Sequence, residues 1–225
     1  MTLDLTAPVW GSPLDFSQGS WEWKLARVGK VTGSRVDDAT RKLKDGKKYS
    51  AERARYLGEL VNERLTGEPY PKFRTAQMLW GIENEPAARK LYALSCDDPV
   101  IEVGFVPHPT IEMAGASPDG LVGQRGLVQF KCPETHNHFK TLRGAPIASE
   151  YIAQMQWEMA SAERAWCDFV SFDPRTRPEL QMFIKRIWRD DKRIAELEKE
   201  VIDFLIEVDT EVMALCEQYG LMVAA

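Results

Sequence analysis

The spacing of apolar residues changes along this chain from helical to alternating and then back to helical. Residues 51 to 65 and 75 to 95 repeat apolar residues at helical intervals, with the second stretch interrupted or begun by Pro86. The middle then alternates as a half-buried strand does, and prolines close its runs. Strands are predicted at 100 to 106, 127 to 132, 166 to 172 and 180 to 188, and a further helix at 149 to 163. This mixture of helices and strands predicts an α/β fold.

The two ends of the chain add helices to this pattern. Ser34 has the residue type of a helix N-cap, which predicts a helix running towards Lys44, where an Asp-Gly pair ends it. From about Asp190 a long C-terminal helix carries one apolar stripe. Its spacing favours packing on the sheet, with packing on a partner subunit as the alternative. The stripe consists of Ile194, Leu197, Val201, Leu205, Val208, Val212 and Leu215.

A length of 225 residues suits a single domain covering residues 1–225, because no linker or repeat divides the chain. The composition, 44% hydrophobic and 28% charged, is typical of a globular protein and excludes disordered and membrane classes. No apolar run approaches the roughly 18 residues of a membrane span, and the N-terminal residues lack the basic start of a secretion signal. Four cysteines stand singly, which predicts reduced thiols in a cytoplasmic protein.

The net charge of −5 is unevenly distributed. Residues 190–217 hold ten acidic and three basic side chains, so the rest of the chain carries a net charge of +2. Residues 41–55 hold seven basic side chains against two acidic ones. Such a cluster can neutralise several phosphates, and we predict that Lys44, Lys47 and Lys48 contact a nucleic-acid backbone. A solvated helix–turn surface is the alternative.

Residues with catalytic potential occur in two neighbouring segments. Asp119 lies in the turn-rich stretch S-P-D-G, and Gln129 and Lys131 follow on a predicted strand. Because side chains two residues apart share a strand face, the turn can bring all three together. Carboxylate and amide oxygens suit a hard cation, beside which an ammonium group can orient or activate water. A surface turn next to an exposed strand is the alternative.

Further candidates lie outside these two segments. Glu85, on a predicted helix, can supply another carboxylate, and Gln154 lies on the helix after the second strand. Upstream, Arg27, Thr32 and Ser34 combine a bidentate donor with two hydroxyls, a set suited to binding phosphate. A helix beginning at Ser34 would add backbone N–H donors to this set.

In this order the residues resemble the phage-type alkaline exonucleases, the lambda exonuclease and YqaJ-like branch of the PD-(D/E)xK nuclease superfamily. The resemblance extends from Trp23 to about Asp173. Its most specific motifs are W-G-x-x-x-E (80–85), S-P-D-G-L (117–121), F-K-C-P (130–133) and Y-x-A-Q-x-Q (151–156). It implies a restriction-endonuclease-like core, in which a central mixed β-sheet is flanked by helices. It also implies Mg²⁺-dependent digestion of one strand of double-stranded DNA from the 5′ end, which releases mononucleotides and leaves a 3′ single strand.

The same resemblance implies a metal centre with two Mg²⁺ ions, for which Mn²⁺ is a substitute. Lys131 would position the attacking water and neutralise charge on the scissile phosphate, and Gln154 would support the site from the neighbouring helix. The implied metal ligands are Glu85, Asp119, Gln129 and the backbone carbonyl of Phe130.

The resemblance also implies DNA contacts and partners. Arg27, Thr32 and Ser34 would hold the terminal 5′-phosphate, which enforces direction and processivity. Met78, beside Trp80, corresponds to an apolar wedge where the strands separate. The family implies a ring-shaped homotrimer around the duplex, a single-strand annealing protein as partner and a phage or prophage product in the host cytoplasm.

Gln129 departs from the family pattern, which has Asp or Glu at this position. A neutral amide oxygen can still contact Mg²⁺, but it brings no charge and no base strength. If the missing carboxylate contributes about 3 kcal/mol, the rate falls roughly a hundredfold. The sequence therefore suggests an inactivated or weakened nuclease, with substitution to trap substrate favoured over natural divergence.

The sequence also allows a zinc site and three other classes of function. The spacing C-x3-H-x-H at Cys132, His136 and His138 could indicate zinc, but it lacks a fourth ligand, and a loop with two exposed histidines is the default. A restriction-like or repair endonuclease would share the core motifs. A non-catalytic DNA-end-binding subunit would carry Gln129 as its native residue. A purely structural oligomerisation module would leave residues 23–156 without explanation.

Overall fold

The computed structural model describes residues 12–42, 49–71 and 73–221. Its helices are α1 (Trp21–Leu25), α2 (Val36–Thr40), α3 (Ala51–Thr66), α4 (Ala76–Leu94), α5 (Thr135–Leu142), α6 (Ser149–Ser161) and α7 (Asp191–Tyr219). Its strands are β1 (Val31–Thr32), β2 (Val100–Ile101), β3 (Val106–Pro107), β4 (Ala114–Ala116), β5 (Gly120–Val122), β6 (Gly126–Lys131), β7 (Trp166–Phe172) and β8 (Met182–Trp188). None of the described helices combines the length and apolar character needed to cross a membrane.

A mixed five-stranded sheet, in the order β2-β5-β6-β7-β8, forms the centre of the fold. Strands β6 and β7 run parallel, with Gln129 opposite Phe169, and the other neighbouring pairs are antiparallel. Helices α5 and α6 lie in the connection between the two parallel strands, as a crossover between parallel strands requires. The predicted α/β class, with a central mixed sheet flanked by helices and a long C-terminal helix, is confirmed.

The two faces of this sheet are covered by different helices. Val128 and Phe130 of β6 pack in one apolar cluster with Ala88 and Tyr92 of α4. Leu127, which points to the opposite face, packs in another cluster with Met155 and Met159 of α6. Because side chains of a strand alternate between faces, Gln129 and Lys131 also point towards α6.

The long helices begin at capping residues visible in the sequence. Ser50 accepts a hydrogen bond from the Arg53 amide at 3.2 Å, and Thr75 accepts one from the Met78 amide at the same distance. Asp190 caps α7 in the same way. These side chains satisfy amide groups that the first helical turn leaves unpaired, so local sequence fixes where the helices start.

The apolar stripe of α7 packs on helices, and the expectation that it packs on the sheet is wrong. Phe204 is fully buried, and its ring stacks on Tyr56 of α3 with 5.5 Å between centroids. The same cluster includes residues of α2, α6 and the small sheet β1-β4-β3. Since α4 and α6 already cover the two faces of the central sheet, the stripe of α7 is buried in a separate helical layer.

The strand predicted at 100 to 106 is in fact two short strands in different sheets. Strand β2 pairs with β5 in the central sheet, whereas β3 pairs with β4 in the small sheet. Between them, the Gly104 amide donates to the Leu14 carbonyl at 2.7 Å and so does not join either ladder. The alternation correctly indicated extended backbone, but the strands with which this segment pairs change between residues 101 and 106.

Two helix predictions also need correction. Ser34 does not cap a helix: it lies in the 3₁₀ turn Gly33–Arg35, and α2 begins at Val36 and ends at Thr40, before Lys44. Pro86 neither begins nor interrupts α4, which continues from Ala76 to Leu94 around it. Proline removes only one backbone donor from such a helix, and contacts with the sheet hold the helix on both sides of it.

We expect Phe204→Ala to lower the free energy of unfolding by about 3–5 kcal/mol, because it leaves a cavity between α7 and α3. The neighbouring Ile206 is 58% exposed, so Ile206→Ala on the same helix should change stability by less than about 0.5 kcal/mol. Urea denaturation of both variants measures the difference. Equal losses would contradict the burial of the α7 stripe against helices.

Candidate functional site

The turn that carries Asp119 is fixed directly to strand β6. The Asp119 side chain, through Oδ2, accepts a hydrogen bond from the backbone amide of Phe130 at 2.7 Å. This contact holds the carboxylate between the positions of Gln129 and Lys131. The arrangement expected from the turn and the strand period is therefore present in the structure.

Four polar side chains form a hydrogen-bonded network on the α6 side of β6. Lys131 Nζ donates to Gln154 Oε1 at 3.4 Å, and Gln154 Nε2 donates to Glu158 Oε1 at 2.8 Å. Gln129 Nε2 donates to the same Glu158 oxygen at 3.4 Å. The sequence analysis missed Glu158, although it lies four residues after Gln154 and hence on the same helix face.

Two oxygens of this network lack a hydrogen-bond partner. Gln129 and Glu158 are 0% and 1% exposed, and Gln129 Oε1 and Glu158 Oε2 are both buried and unpaired. A buried, unsatisfied oxygen is costly, by roughly 1–3 kcal/mol, and more for a charged group. Oxygen atoms of this kind are the ligands that Mg²⁺ prefers, so the residues present fit a divalent cation.

Glu85 lies on α4, the helix that covers the face of the central sheet opposite α6. Arg89, one helical turn later, donates to Glu85 Oε1 at 2.6 Å and to the Asp119 carbonyl at 3.0 Å. It also pairs with Glu102. Arg89 therefore links the two segments that carry the predicted acidic ligands, a link that the sequence analysis missed.

The acidic side chains of the site are protonated more readily than usual. Burial, followed by the charge of Asp119, raises the pKa of Glu85 to about 7 and that of Glu158 to about 8. Burial also raises the pKa of Asp119, although Lys131 opposes this shift. Burial is the largest cause of all three pKa shifts, so the site disfavours the ionised form of its acids, and a bound divalent cation would oppose these shifts.

The predicted phosphate-binding arginine is attached to the same turn as Asp119. Arg27 Nη1 donates to Ser117 Oγ at 2.9 Å, and Trp23 Nε1 donates to that oxygen at 3.0 Å. The guanidinium lies 3.9 Å from the centre of the Trp23 ring. Burial lowers the pKa of Arg27 to about 10, so it remains cationic near neutral pH.

Thr32 and Ser34 lie near Arg27 but differ in exposure. Thr32 ends β1 and is 5% exposed, whereas Ser34 is exposed in the following 3₁₀ turn. Because α2 is only five residues long and starts after Ser34, the expected contribution of a helix N-terminus at Ser34 is wrong. A phosphate site here would depend on side chains, chiefly the guanidinium of Arg27.

A cavity of about 1040 Å³ joins the predicted phosphate cluster to the predicted catalytic residues. The residues that line it do not include Asp119, Gln129, Gln154 or Glu158. Its lining includes exposed apolar groups, such as Phe73, which is 97% exposed. The sequence-predicted residues that line the cavity are Arg27, Thr32, Ser34, Met78, Glu85, Phe130 and Lys131.

Some predicted residues fall outside this cavity. Lys44, Lys47 and Lys48 lie outside the described residues. His138, expected in an exposed loop, is instead fully buried on α5, where its ring nitrogens contact Ser171 Oγ at 2.8 Å and the Leu180 carbonyl at 2.7 Å. Both nitrogens are thus engaged in packing β7 against the following loop, which the spacing of histidines could not reveal.

Within residues 12–42, 49–71 and 73–221, no three His, Cys, Asp or Glu side chains lie close enough together to hold a metal ion. A magnesium site at the Asp119 turn would therefore include amide or carbonyl oxygens together with its carboxylates. Mg²⁺ is commonly bound through one or two carboxylates and several waters, so the donor set is sufficient.

The chain matches the YqaJ-like viral recombinase domain over residues 22–165. Since this match covers more than half of the chain, the chain belongs to the YqaJ-like family of nucleases, and the resemblance found in the motifs is confirmed. A search of curated protein sequences finds no match.

Solved structures give the same result. Two crystal structures of LHK-Exo, an alkaline exonuclease from Laribacter hongkongensis, are 45% identical to this chain and cover 89% of it and 98% of their own length. The TM-score is 0.83 for the complex with dAMP and 0.82 for the other structure. A phage related exonuclease from Haemophilus somnus 129PT, 16% identical with a TM-score of 0.61, covers 83% of this chain and 96% of its own, and shows the shared fold alone.

The stability of the metal-free protein should fall as pH rises from about 5 to about 8. The folded-state pKa of Glu158 is raised from 4.5 to about 8, so the unfolded chain releases this proton first and is favoured as pH rises through that window. Glu158→Gln should therefore stabilise the protein more at about pH 8 than at about pH 5.

Urea denaturation at both pH values measures this effect, and Glu150→Gln is the matched control because Glu150 is exposed on the same helix. An identical pH dependence in the starting chain and Glu158→Gln would contradict the assignment of the raised pKa to Glu158.

Proposed function

We propose that this protein is a Mg²⁺-dependent exonuclease that degrades one strand of linear double-stranded DNA from its 5′ end. It releases mononucleotides and leaves a 3′ single strand for recombination. The observation that carries this proposal is that Arg27, Glu85 and Lys131 line the same cavity. A chain end and the phosphodiester next to it can occupy such a cavity together.

In this proposal, oxygen atoms around the Asp119 turn hold the metal. When bound, magnesium supplies a Lewis acid that activates water and offsets phosphate charge. Asp119 is oriented for this role by the Phe130 amide, and the carbonyl of Phe130 adds a neutral oxygen. Glu85 adds a carboxylate from α4. Gln129 contributes only an amide oxygen, which weakens the site relative to the carboxylate of the family pattern.

Lys131 orients the attacking water and neutralises charge on the scissile phosphate. Its ammonium lines the cavity and is directed by a long hydrogen bond to Gln154 and by the ring of Tyr151, 4.6 Å away. A cation held in this way can stabilise charge that develops on phosphate oxygens. Gln154 therefore acts as a positioning residue for Lys131.

The terminal 5′-phosphate binds to Arg27, with Thr32 and Ser34 as hydroxyl partners. The guanidinium is stacked on Trp23 and keeps further donors free of Ser117, which suits it to a bidentate phosphate contact. Ser117 and Asp119 share one turn, so the Arg27 guanidinium is hydrogen-bonded to the segment that carries the proposed metal ligand Asp119. The complex of LHK-Exo with dAMP supports a mononucleotide as the product class.

Met78 and the neighbouring exposed apolar groups of α4 supply an apolar wall where the two strands separate. We further propose a homotrimer around the duplex, a single-strand annealing protein that receives the 3′ strand, and action in the cytoplasm. Lys44, Lys47 and Lys48 remain proposed contacts to backbone phosphate.

Gln129 also favours a second candidate, a DNA-end-binding subunit without nuclease activity. Such a protein should bind ends without metal and remain inactive when a carboxylate is placed at position 129. An endonuclease of the same superfamily would instead cut closed circular DNA, which has no 5′ end to occupy the Arg27 site.

We expect Gln129→Glu to raise the rate of nucleotide release from linear duplex DNA in Mg²⁺, by up to about a hundredfold if the carboxylate contributes about 3 kcal/mol. Lys131→Met in that background should remove most of the gain, because the water and phosphate lose their cation. Release of acid-soluble nucleotides, with and without EDTA, measures both effects. Absence of nucleotide release by both the starting chain and Gln129→Glu would count against the exonuclease assignment and favour the end-binding subunit.

We expect Arg27→Gln to reduce the preference for 5′-phosphorylated over 5′-hydroxyl ends by about tenfold or more, since a hydrogen bond to a charged group contributes about 1.5–3 kcal/mol. The matched control is Arg177→Gln, because the Arg177 side chain is 83% exposed on the loop before β8. Initial rates on the two duplexes, measured in the Gln129→Glu background, give the preference. An unchanged preference would rule out Arg27 as the phosphate-binding residue.

A further inference from the structure

Glu158 is a buried acid that the motifs of the family do not include. It lies on α6 at 1% exposure, and one of its oxygens, Oε2, has no hydrogen-bond partner. Burying an ionised carboxylate is expensive unless a cation or several donors compensate it. Helix α6 packs on the sheet through apolar side chains, and this packing does not require an acid at position 158. A cation near Glu158 would offset the cost of burying its ionised form.

The side chain of Gln129 is turned towards this acid. Its amide nitrogen donates to Glu158 Oε1 at 3.4 Å, while its own oxygen remains unpaired. A glutamate at position 129 would place two carboxylates against each other at this distance. Glutamine at 129 and glutamate at 158 therefore leave one ionisable carboxyl group in the pair, located on α6 instead of β6.

The position of the Glu158 carboxylate is fixed by its surroundings. Gln154 donates to Oε1 at 2.8 Å, and a Cβ added at Gly33 would lie 3.3 Å from Glu158 Cγ. Glu158 is thus packed between β6 and the turn that joins Thr32 to Ser34. An ionised carboxylate next to a proposed phosphate site is unfavourable unless a cation lies between them.

We propose that Glu158 supplies, from helix α6, the carboxylate ligand for the divalent cation that strand position 129 lacks. The unpaired oxygens of Glu158 and Gln129 join Asp119 and the Phe130 carbonyl in one set of hard oxygen donors for Mg²⁺. This inference rests on the proposed function, because it concerns the same metal site.

Metal binding without DNA tests the proposal. The probe is Mn²⁺ alone, titrated into the full-length protein at about pH 8 and followed by calorimetry and by the electron paramagnetic resonance signal of free Mn²⁺. We expect Glu158→Gln to weaken Mn²⁺ binding at least tenfold, Glu158→Asp to retain part of the affinity, and Glu150→Gln to leave it unchanged. Thermal melting without metal verifies that each variant is folded.

A double-mutant cycle with position 129 adds a sharper criterion. If one carboxylate from either position completes the site, the swapped variant Gln129→Glu/Glu158→Gln should bind Mn²⁺ within about threefold of the starting chain. The increase in Mn²⁺ affinity caused by Gln129→Glu should then be at least tenfold larger in the Glu158→Gln background than in the starting chain. Residues that bind the same ion couple energetically.

If Glu158 is instead a neutral buried acid, Glu158→Gln will keep the Mn²⁺ affinity within twofold and the cycle will be additive, which overturns the proposal. That outcome leaves the proposed function intact when Gln129→Glu still releases nucleotides in Mg²⁺. Failure of Gln129→Glu to release nucleotides, together with a tenfold loss of Mn²⁺ binding in Glu158→Gln, would contradict the nuclease function while supporting the metal ligand.

Discussion

Strand β6 is enclosed by helices on both faces, and the placement of the site depends on this constraint. Its odd-numbered side chains face α6 and its even-numbered ones pack beneath α4. Gln129 and Lys131 are thereby directed at the polar face of α6, while Phe130 anchors the strand in the apolar cluster below. A shift of register by one residue would turn each set of side chains to the opposite face, so that the polar residues would enter the apolar cluster and the site would be lost.

Carboxyl groups are concentrated where the fold provides little water to solvate their ionised form. Glu85, Asp119 and Glu158 all have raised pKa values, with burial as the largest cause in each case. The nearby cations, Arg89 and Lys131, offset this only in part. Such an accumulation costs stability in the metal-free protein and is the expected property of a site built for a divalent cation.

One short turn connects the two halves of the cavity. Ser117 receives hydrogen bonds from Arg27 and Trp23, and Asp119, two residues later, accepts the Phe130 amide. The N-terminal segment and the central sheet are therefore held together at the point where the proposed phosphate and metal sites meet. Each polar side chain of the S-P-D-G turn thus fixes a different segment of this chain.

The sequence alone determined most elements and the family, because periodicity and short motifs are local properties. It also drew attention to Arg27, Glu85 and Lys131, which line the cavity, and to Gln129, where the resemblance implies a carboxylate. Only the tertiary structure decided that residues 100–107 divide between two sheets, that α7 packs on helices and that His138 is buried. The contact between Glu158 and Gln129, which are 29 positions apart in the sequence, also appeared only in the structure. These features depend on which surfaces other elements already cover and on contacts between residues distant in sequence. Neither can be read from the spacing of residues along the chain.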